Sequence, residues 1–194
     1  MPHNREKHHR RSIRLPGFDY SQQGLYFVTI CTQGRKMLFG EVVEGAMVVN
    51  QLGQLVGEEW LKTGALRSYI GLDEFVVMPN HFHAIVEMRD GRGTARRAPT
   101  TEQFTQPLSG SLPTVIRAFK SAVTKRVNEF HSTPGVPLWQ GNYYEHVVRN
   151  EDDLRRIREY IQTNPLRWEL DHENLAKRGE DKFDRWLASF TKKR

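Results

Sequence analysis

Runs of apolar residues along the chain predict four main strands. Residues 25–32 are apolar or β-branched throughout, which predicts a strand buried on both faces in the middle of a sheet. Residues 75–78 predict a second strand. Pro79 and Asn80 favour a tight turn, after which a third strand begins at His81.

Apolar residues at helical spacing predict three helices between and after these strands. The first begins after Asn50, which can cap it, and the second presents its apolar face across residues 115–130. A fourth strand with its approach is predicted at residues 138–148. The third helix follows Asn150, carries acidic residues in its first turn, as the helix dipole favours, and ends at Pro165.

The order of these elements predicts the fold class. It is strand, helix, strand, strand, helix, strand and one further helix, which is an α+β, ferredoxin-like arrangement. In that fold, helices cover one face of an antiparallel sheet and leave the other face available. Successive side chains of a strand alternate between faces, so His81 and His83 share one face with Ile85 and Glu87. The opposite face is wholly apolar and consists of Phe82, Ala84, Val86 and Met88. We therefore expect both histidines on the available face.

Composition and charge narrow the class of protein. A chain of 194 residues that is 38% hydrophobic is long and apolar enough for one folded domain. Its net charge of +6 favours a polyanionic partner. Cys31 is the only cysteine, which excludes an internal disulfide and a cysteine-rich zinc finger. Because no apolar run approaches the length of a membrane span or a secretory signal, we expect a soluble, cytoplasmic protein.

Three segments lack apolar periodicity and mark the limits of the domain. Residues 1–15 form a basic arm, and residues 169–194 form a charged tail. Residues 89–112 are rich in Gly, Pro, Ser, Thr and Arg and predict a loop, which is either mobile or functional. The predicted domain therefore occupies residues 16–168.

The histidine pair is the first candidate site. Two imidazoles on one face of a strand can hold a single metal ion, although two partly exposed histidines that make hydrogen bonds would give the same pattern. The last predicted helix adds Tyr160 and Asn164, which lie four residues apart on neighbouring turns. A phenol beside a metal-bound phosphate can attack phosphorus, and an amide oxygen suits Mg²⁺ or Mn²⁺ as a third ligand. Taken alone, Tyr160 could equally lie at the rim of the core and Asn164 at a helix end.

Three motifs in order resemble a known family. They are MPNHFH at residues 78–83, LWQGNYYEHVVRN at residues 138–150 and EYIQTNP at residues 159–165. Together they resemble the single-tyrosine transposases of the HUH superfamily, and most closely their REP-associated branch, over residues 16–168. The resemblance implies a ferredoxin-like fold and a divalent metal held by His81 and His83. It also implies that Tyr160 is the nucleophile, on an additional catalytic helix, and that Asn164 is the third metal ligand.

Proteins of this kind cleave and rejoin single-stranded DNA near imperfect hairpins. The tyrosine bonds to the 5′ end of one fragment and leaves a free 3′ hydroxyl, while Mg²⁺ or Mn²⁺ positions the phosphate. The resemblance therefore implies a metal-dependent single-stranded DNA endonuclease and strand transferase that takes hairpin DNA as its partner. It implies a cytoplasmic protein that joins the nucleoid when bound to DNA, and it allows a homodimer. Candidate phosphate contacts are Arg10, Arg11 and Arg14 in the arm and Arg117 and Lys120 on the second helix.

Other interpretations stay open on the residues alone. A noncatalytic single-stranded nucleic-acid-binding protein could use the same sheet, and a metal-dependent hydrolase could act through bound water without a role for Tyr160. Tyr143 and Tyr144 are rival nucleophiles. Tyr160 is preferred because its helix motif matches the family more closely and because Asn164 accompanies it.

Overall fold

A computed structural model describes residues 18–89 and 110–191 of the chain. Its strands are β1 (Gly24–Cys31), β2 (Gly40–Val43), β3 (Ala46–Val49), β4 (Ile70–Val77), β5 (His81–Met88) and β6 (Tyr144–Val147). Its helices are α1 (Gln51–Ala65), α2 (Leu112–His131), α3 (Glu151–Thr163) and α4 (Lys182–Thr191), with short 3₁₀ turns at Gln33–Arg35 and Pro165–Leu170. Within these described ranges, none of the helices has the length and apolar character needed to cross a membrane.

The main sheet has four antiparallel strands in the order β4, β5, β1, β6. This order and the helices that connect the strands confirm the predicted α+β, ferredoxin-like class. β1 lies between β5 and β6, as its uninterrupted apolar run predicts, and β2 and β3 form a separate hairpin. β4 starts at Ile70, earlier than predicted. The prediction missed its first half because Asp73 and Glu74 interrupt the apolar pattern, at the point where the strand pairing shifts between Leu72 and Phe75.

Helices α1 and α2 cover one face of this sheet. Trp60 of α1, Phe82 of β5 and Phe119 of α2 are almost fully buried, and their ring centroids lie 5.1 to 5.3 Å apart. Aromatic side chains at these separations bury much apolar area and gain from edge-to-face contacts. The face of β5 that the sequence predicts to be wholly apolar therefore forms the larger core.

The expectation that the histidine face is available is wrong. Phe27 of β1 and Ile85 of β5 lie on that face and are fully buried. α3 packs over them with Ile157, and α4 adds Phe183. Apolar strand residues on both faces require cover on both faces, because exposed apolar area is unfavourable. The further helix predicted after the last strand supplies this cover together with the C-terminal segment.

Several predicted segments differ from the structure or lie outside it. The predicted strand at residues 138–148 is regular only in β6, and Trp139 in its approach makes an isolated bridge to Thr32. The arm, with Arg10, Arg11 and Arg14, lies outside the described residues, as does most of the predicted loop.

Candidate active site

The two histidines lie side by side in the interior, on β5. His81 is fully buried and His83 is 3% exposed. Their ring centroids are 4.4 Å apart, and the Nδ1 atom of each ring is within hydrogen-bond distance of a neighbouring side chain. The Nε2 atoms are therefore the ones left to face the centre of the site. The alternative of two partly exposed imidazoles is not what the structure contains.

The structure brings Tyr160 and Asn164 to the same point. The Tyr160 hydroxyl lies 3.3 Å from Nε2 of His83, and both Tyr160 and Asn164 are buried. Asn164 keeps helical backbone angles although Pro165 follows it, because the chain continues directly into a 3₁₀ turn that starts at the proline. The spacing of four residues then places both side chains on one face of the helix end. The four residues predicted from the sequence thus meet within one chain.

Asp171 joins this cluster and was missed by sequence reasoning. It follows the 3₁₀ turn Pro165–Leu170, which returns the chain toward the sheet. Its Oδ2 accepts hydrogen bonds from the Tyr160 hydroxyl (3.2 Å) and from Nδ2 of Asn164 (2.7 Å). The same oxygen lies 3.9 and 4.0 Å from Nε2 of His81 and His83. In a single sequence little distinguishes Asp171 from other acidic residues, because its neighbours belong to a charged tail.

Burial and charge set the protonation states of the site. Burial and the neighbouring His83 lower the pKa of His81 to about 3. Burial alone would raise the pKa of Asp171, but the nearby imidazoles of His83 and His81 and the hydrogen bond from Asn164 outweigh burial and hold that pKa well below its usual range. Burial and the Asp171 charge raise the pKa of Tyr160 well above its usual value. The site thus offers a neutral imidazole at His81, a carboxylate and a protonated phenol.

This set of side chains fits a divalent cation. His81, His83 and Asp171 have ligand atoms that all lie within 4.8 Å of one another. Nε2 of His81 and Oδ1 of Asn164 are buried and have no hydrogen-bond partner within the described ranges. Buried polar atoms of this kind are costly unless something satisfies them. Imidazole nitrogen with carboxylate and amide oxygen is a donor set that first-row divalent metals accept.

Two curated proteins are similar in sequence to this chain. A protein of Haemophilus influenzae described as "Uncharacterized protein" is 39% identical over 168 residues, covering 84% of this chain and 92% of its own length, so the two belong to one family. A second protein of that organism, described as "Putative REP-associated tyrosine transposase", is 26% identical over 153 residues, or 77% of this chain and 74% of its length. The chain is thus similar in sequence to a protein described as a REP-associated tyrosine transposase. No family model matches the chain.

A solved structure extends the comparison to the fold. It contains a REP-associated tyrosine transposase bound to a REP hairpin and aligns with a TM-score of 0.54 at 20% identity. The alignment covers 81% of this chain and 73% of that one. The two proteins therefore share a fold. Together with the sequence relatives, this similarity supports a transposase-like function for the chain.

A cavity borders the cluster on the side away from β4. Its volume is about 380 Å³, and Phe27, His83, Tyr160, Phe183 and Asp184 are among the residues that line it. The ring of Phe183 stacks on that of Tyr160 with centroids 3.8 Å apart and planes at 10°. Stacking thus fixes the orientation of the phenol ring of a residue that lines the cavity.

The rival tyrosines lie in other places. Tyr143 packs against the core formed by α1 and α2, which is the opposite face of the sheet from the histidines. Tyr144 lines the cavity and packs near Phe27 at a ring distance of 6.5 Å. Tyr160 has a hydroxyl at hydrogen-bond distance from His83, and this geometry favours it as nucleophile.

The structure separates the two described DNA-contact candidates. Arg117 is exposed on α2. Lys120 instead donates hydrogen bonds from Nζ to the carbonyl oxygens of Gln140 (2.6 Å) and Gly141 (3.2 Å), and burial lowers its pKa to about 8. A lysine that holds a loop through backbone carbonyls is poorly placed to contact phosphate as well. Both residues lie on α2, across the sheet from the histidine cluster.

Proposed function

We propose that this protein is a metal-dependent single-stranded DNA endonuclease and strand transferase that cleaves near hairpins through a 5′-phosphotyrosine at Tyr160. The observation that carries the proposal is the Tyr160 hydroxyl, 3.3 Å from His83 and 3.2 Å from Asp171 in a buried cluster of metal-ligand side chains. The related solved transposase is bound to a REP hairpin, which supports hairpin DNA as the partner.

The proposed metal ligands are His81, His83 and an oxygen donor. Asp171 is the stronger candidate for the oxygen, because its charge lies 3.9 Å and 4.0 Å from the two Nε2 atoms. Asn164 donates to Asp171 through Nδ2, but its free Oδ1 keeps it as a further candidate. Bound Mg²⁺ or Mn²⁺ would withdraw charge from the scissile phosphate.

The side chains of the site supply positioning for the reaction. Tyr160 donates its O–H to Asp171, which holds the phenol oxygen 3.3 Å from Nε2 of His83, one of the proposed metal ligands. That oxygen bonds to phosphorus as the bond from phosphorus to the 3′ oxygen breaks. The proton lost by the phenol is balanced by the one that the 3′ oxygen gains. Attack by a 3′ hydroxyl on the phosphotyrosine reverses the step and rejoins a strand.

The location and assembly of the protein follow from this proposal. We place it in the cytoplasm, and on the nucleoid when DNA is bound. A homodimer stays a prediction, and the site does not require one, because the clustered side chains come from a single chain. Since Asp171 belongs to the cluster, the working unit extends beyond the predicted limit at residue 168.

A covalent adduct tests the proposal. The protein is incubated with hairpin-bearing single-stranded DNA and Mn²⁺ or Mg²⁺, and a protein–DNA species that survives denaturant is sought. We expect this adduct with the unaltered chain and with Tyr143→Phe, which changes the opposite face of the sheet. We expect none with Tyr160→Phe. Persistence of the adduct in Tyr160→Phe would refute the choice of nucleophile, and undiminished cleavage without an adduct would favour the metal-dependent hydrolase.

Retention of DNA without cleavage is the remaining outcome. It would favour the noncatalytic single-stranded nucleic-acid-binding protein. Arg117→Ala tests the exposed DNA-contact candidate, because loss of a phosphate contact weakens binding and reduces its salt dependence. The same measurement applies to the arm residues Arg10, Arg11 and Arg14, whose role stays a prediction.

A further inference from the structure

Asn80 lies in the turn between β4 and β5, is fully buried, and contacts three separate segments. Its Oδ1 is 2.8 Å from Nδ1 of His81. Its Nδ2 donates to the backbone carbonyl oxygens of Glu173 (2.8 Å) and Arg35 (3.3 Å). The functional site described above does not use this side chain directly, yet it touches a proposed ligand on one side and the C-terminal segment on the other.

These contacts fix which way the amide of Asn80 points. An amide NH₂ group only donates and an amide oxygen only accepts. Two carbonyl oxygens face one end of the side chain, and this end must therefore be Nδ2. The reverse orientation would place Oδ1 against both carbonyl oxygens and leave three acceptors without a donor. Oδ1 is consequently the atom that faces His81.

The orientation of the amide then decides the tautomer of His81. Because Oδ1 only accepts, Nδ1 of His81 must carry the hydrogen and donate it. A neutral imidazole has one such hydrogen, so Nε2 carries the lone pair. This Nε2 atom is the buried one that lacks a hydrogen-bond partner in the described part of the chain, and it faces Asp171 at 3.9 Å. Nε2 of His81 therefore has a lone pair that can coordinate a cation.

Asn80 also reaches Asp171 through the backbone of Glu173. The carbonyl oxygen of Glu173 accepts from Asn80, and its backbone N–H donates to Oδ1 of Asp171 at 2.7 Å. The side chain of Glu173 pairs with Arg35 at 2.7 Å. A chain of hydrogen bonds thus connects His81 to Asp171 through Asn80 and Glu173. The other oxygen of Asp171, Oδ2, faces the Nε2 atoms of the two histidines. The side-chain amide of Asn80 therefore connects two proposed ligands, His81 on β5 and Asp171 in the C-terminal segment.

His83 has no equivalent device. Its Nδ1 lies 2.9 Å from Oγ1 of Thr29. A hydroxyl can donate or accept, so Thr29 by itself does not decide which ring nitrogen of His83 carries the hydrogen. Of the two Nδ1 atoms, only that of His81 faces an atom that can only accept.

We propose that Asn80 is a positioning residue that sets the Nδ1–H tautomer of His81 and, through Glu173, seats Asp171 for metal binding. This inference rests on the metal site of the proposed function and adds to it the residue that assembles that site. Groups that hydrogen-bond to metal ligands usually change metal affinity by about 10- to 100-fold when removed. We expect a loss of that size for Mn²⁺ in Asn80→Ala.

The first measurement needs no substitution. In the metal-free protein labelled with ¹⁵N-histidine, NMR spectra that correlate ring nitrogens with ring protons distinguish the two tautomers. We expect His81 to be the Nδ1–H form at neutral pH. An Nε2–H form in the unaltered protein would overturn the proposal, whether or not any variant folds.

Variants then separate positioning from folding. Asn80→Ala should give mixed tautomers at His81 and weaker Mn²⁺ binding by calorimetry, whereas Asn80→Asp keeps the acceptor and should retain the Nδ1–H form. Asn174→Ala is the matched control, because Asn174 is also buried and hydrogen-bonded through both amide atoms in the same C-terminal segment. Its side-chain partners among the described residues are Trp168 and Ala176 instead of His81. It should leave the tautomer unchanged, and Thr29→Val should alter only His83.

The outcomes are distinct from those of the adduct assay. An unchanged tautomer and unchanged Mn²⁺ affinity in Asn80→Ala would overturn the assignment, as would loss of the tautomer in Asn80→Asp. These measurements use no DNA. If Mn²⁺ binds as expected but no phosphotyrosine forms, the proposed function fails while the role of Asn80 stands.

Discussion

Replacing Asp171 with asparagine should nearly abolish the stabilisation of the protein by Mn²⁺. The carboxylate is 1% exposed and faces two imidazole nitrogens, so it supplies the negative charge that a divalent cation needs in this site. Asparagine keeps the size of the side chain and removes the charge. We therefore expect the Mn²⁺ affinity to fall by at least about 100-fold, because removal of groups that only hydrogen-bond to metal ligands already costs up to about that much.

The substitution should also weaken the metal-free protein. Oδ1 of Asp171 accepts from the backbone of Glu173, and Oδ2 accepts from Tyr160 and Asn164. An amide presents NH₂ to one of these two sides, where it meets another donor. At least one hydrogen bond to a charged acceptor is lost, at a cost of about 1.5–3 kcal/mol in the free energy of unfolding.

Urea unfolding with and without Mn²⁺ measures both effects. At a Mn²⁺ concentration about 100 times the dissociation constant, binding stabilises the unaltered protein by about 2.7 kcal/mol. A 100-fold weaker site at the same concentration gains only about 0.4 kcal/mol. The control is Asp184→Asn, which removes a carboxyl group that lines the adjoining cavity but is not in the ligand cluster. If Mn²⁺ stabilises Asp171→Asn as much as the unaltered protein, Asp171 is not a ligand.

Three further predictions concern His81, His83 and Lys120. The free energy of unfolding of the metal-free protein should fall as the pH drops from about 6.5 toward 3. Burial lowers the pKa of His81 to about 3, so in this range the unfolded chain binds a proton that the folded chain does not. His81→Gln should reduce the slope of the urea midpoint against pH in this range, and an unchanged slope would contradict the assignment. His81→Gln and His83→Gln should each suppress the covalent DNA adduct, and normal adduct yield in either would count against coordination. Lys120→Ala should lower the urea midpoint because two carbonyl groups lose their donor, while DNA affinity, measured beside Arg117→Ala, should change little.

Much of the fold follows from patterns among near neighbours in the chain. The uninterrupted apolar run of β1 predicted a central strand, and its place between β5 and β6 confirms this. Asn150 was predicted as a helix cap, and its Oδ1 accepts from the backbone of Asp153 at 2.9 Å at the start of α3. The alternation along β5 placed His81 and His83 on one face. Such features are local because side-chain direction repeats every two residues in a strand and about every 3.6 in a helix.

The environment of that face required the tertiary structure. The sequence predicted an open surface, whereas α3 and α4 cover it and make the histidines part of the interior. Lys120 was named as a candidate phosphate contact from its place on the second helix, and the carbonyl oxygens to which it donates lie 20 and 21 residues away. Helical spacing predicts which face of a helix carries a side chain. It does not predict which distant residues pack against that face.

The sequence by itself therefore determined the strands, the helices and four of the side chains that meet in the site. Only the tertiary structure decided that Asp171 completes the cluster and that Asn80 connects it to His81. Asn80 and Glu173 are 93 residues apart, and their hydrogen bond exists because the sheet, α3 and the 3₁₀ turn pack in one arrangement. Periodicity is carried by neighbouring residues, whereas a contact across such a separation depends on the packing of every element between them.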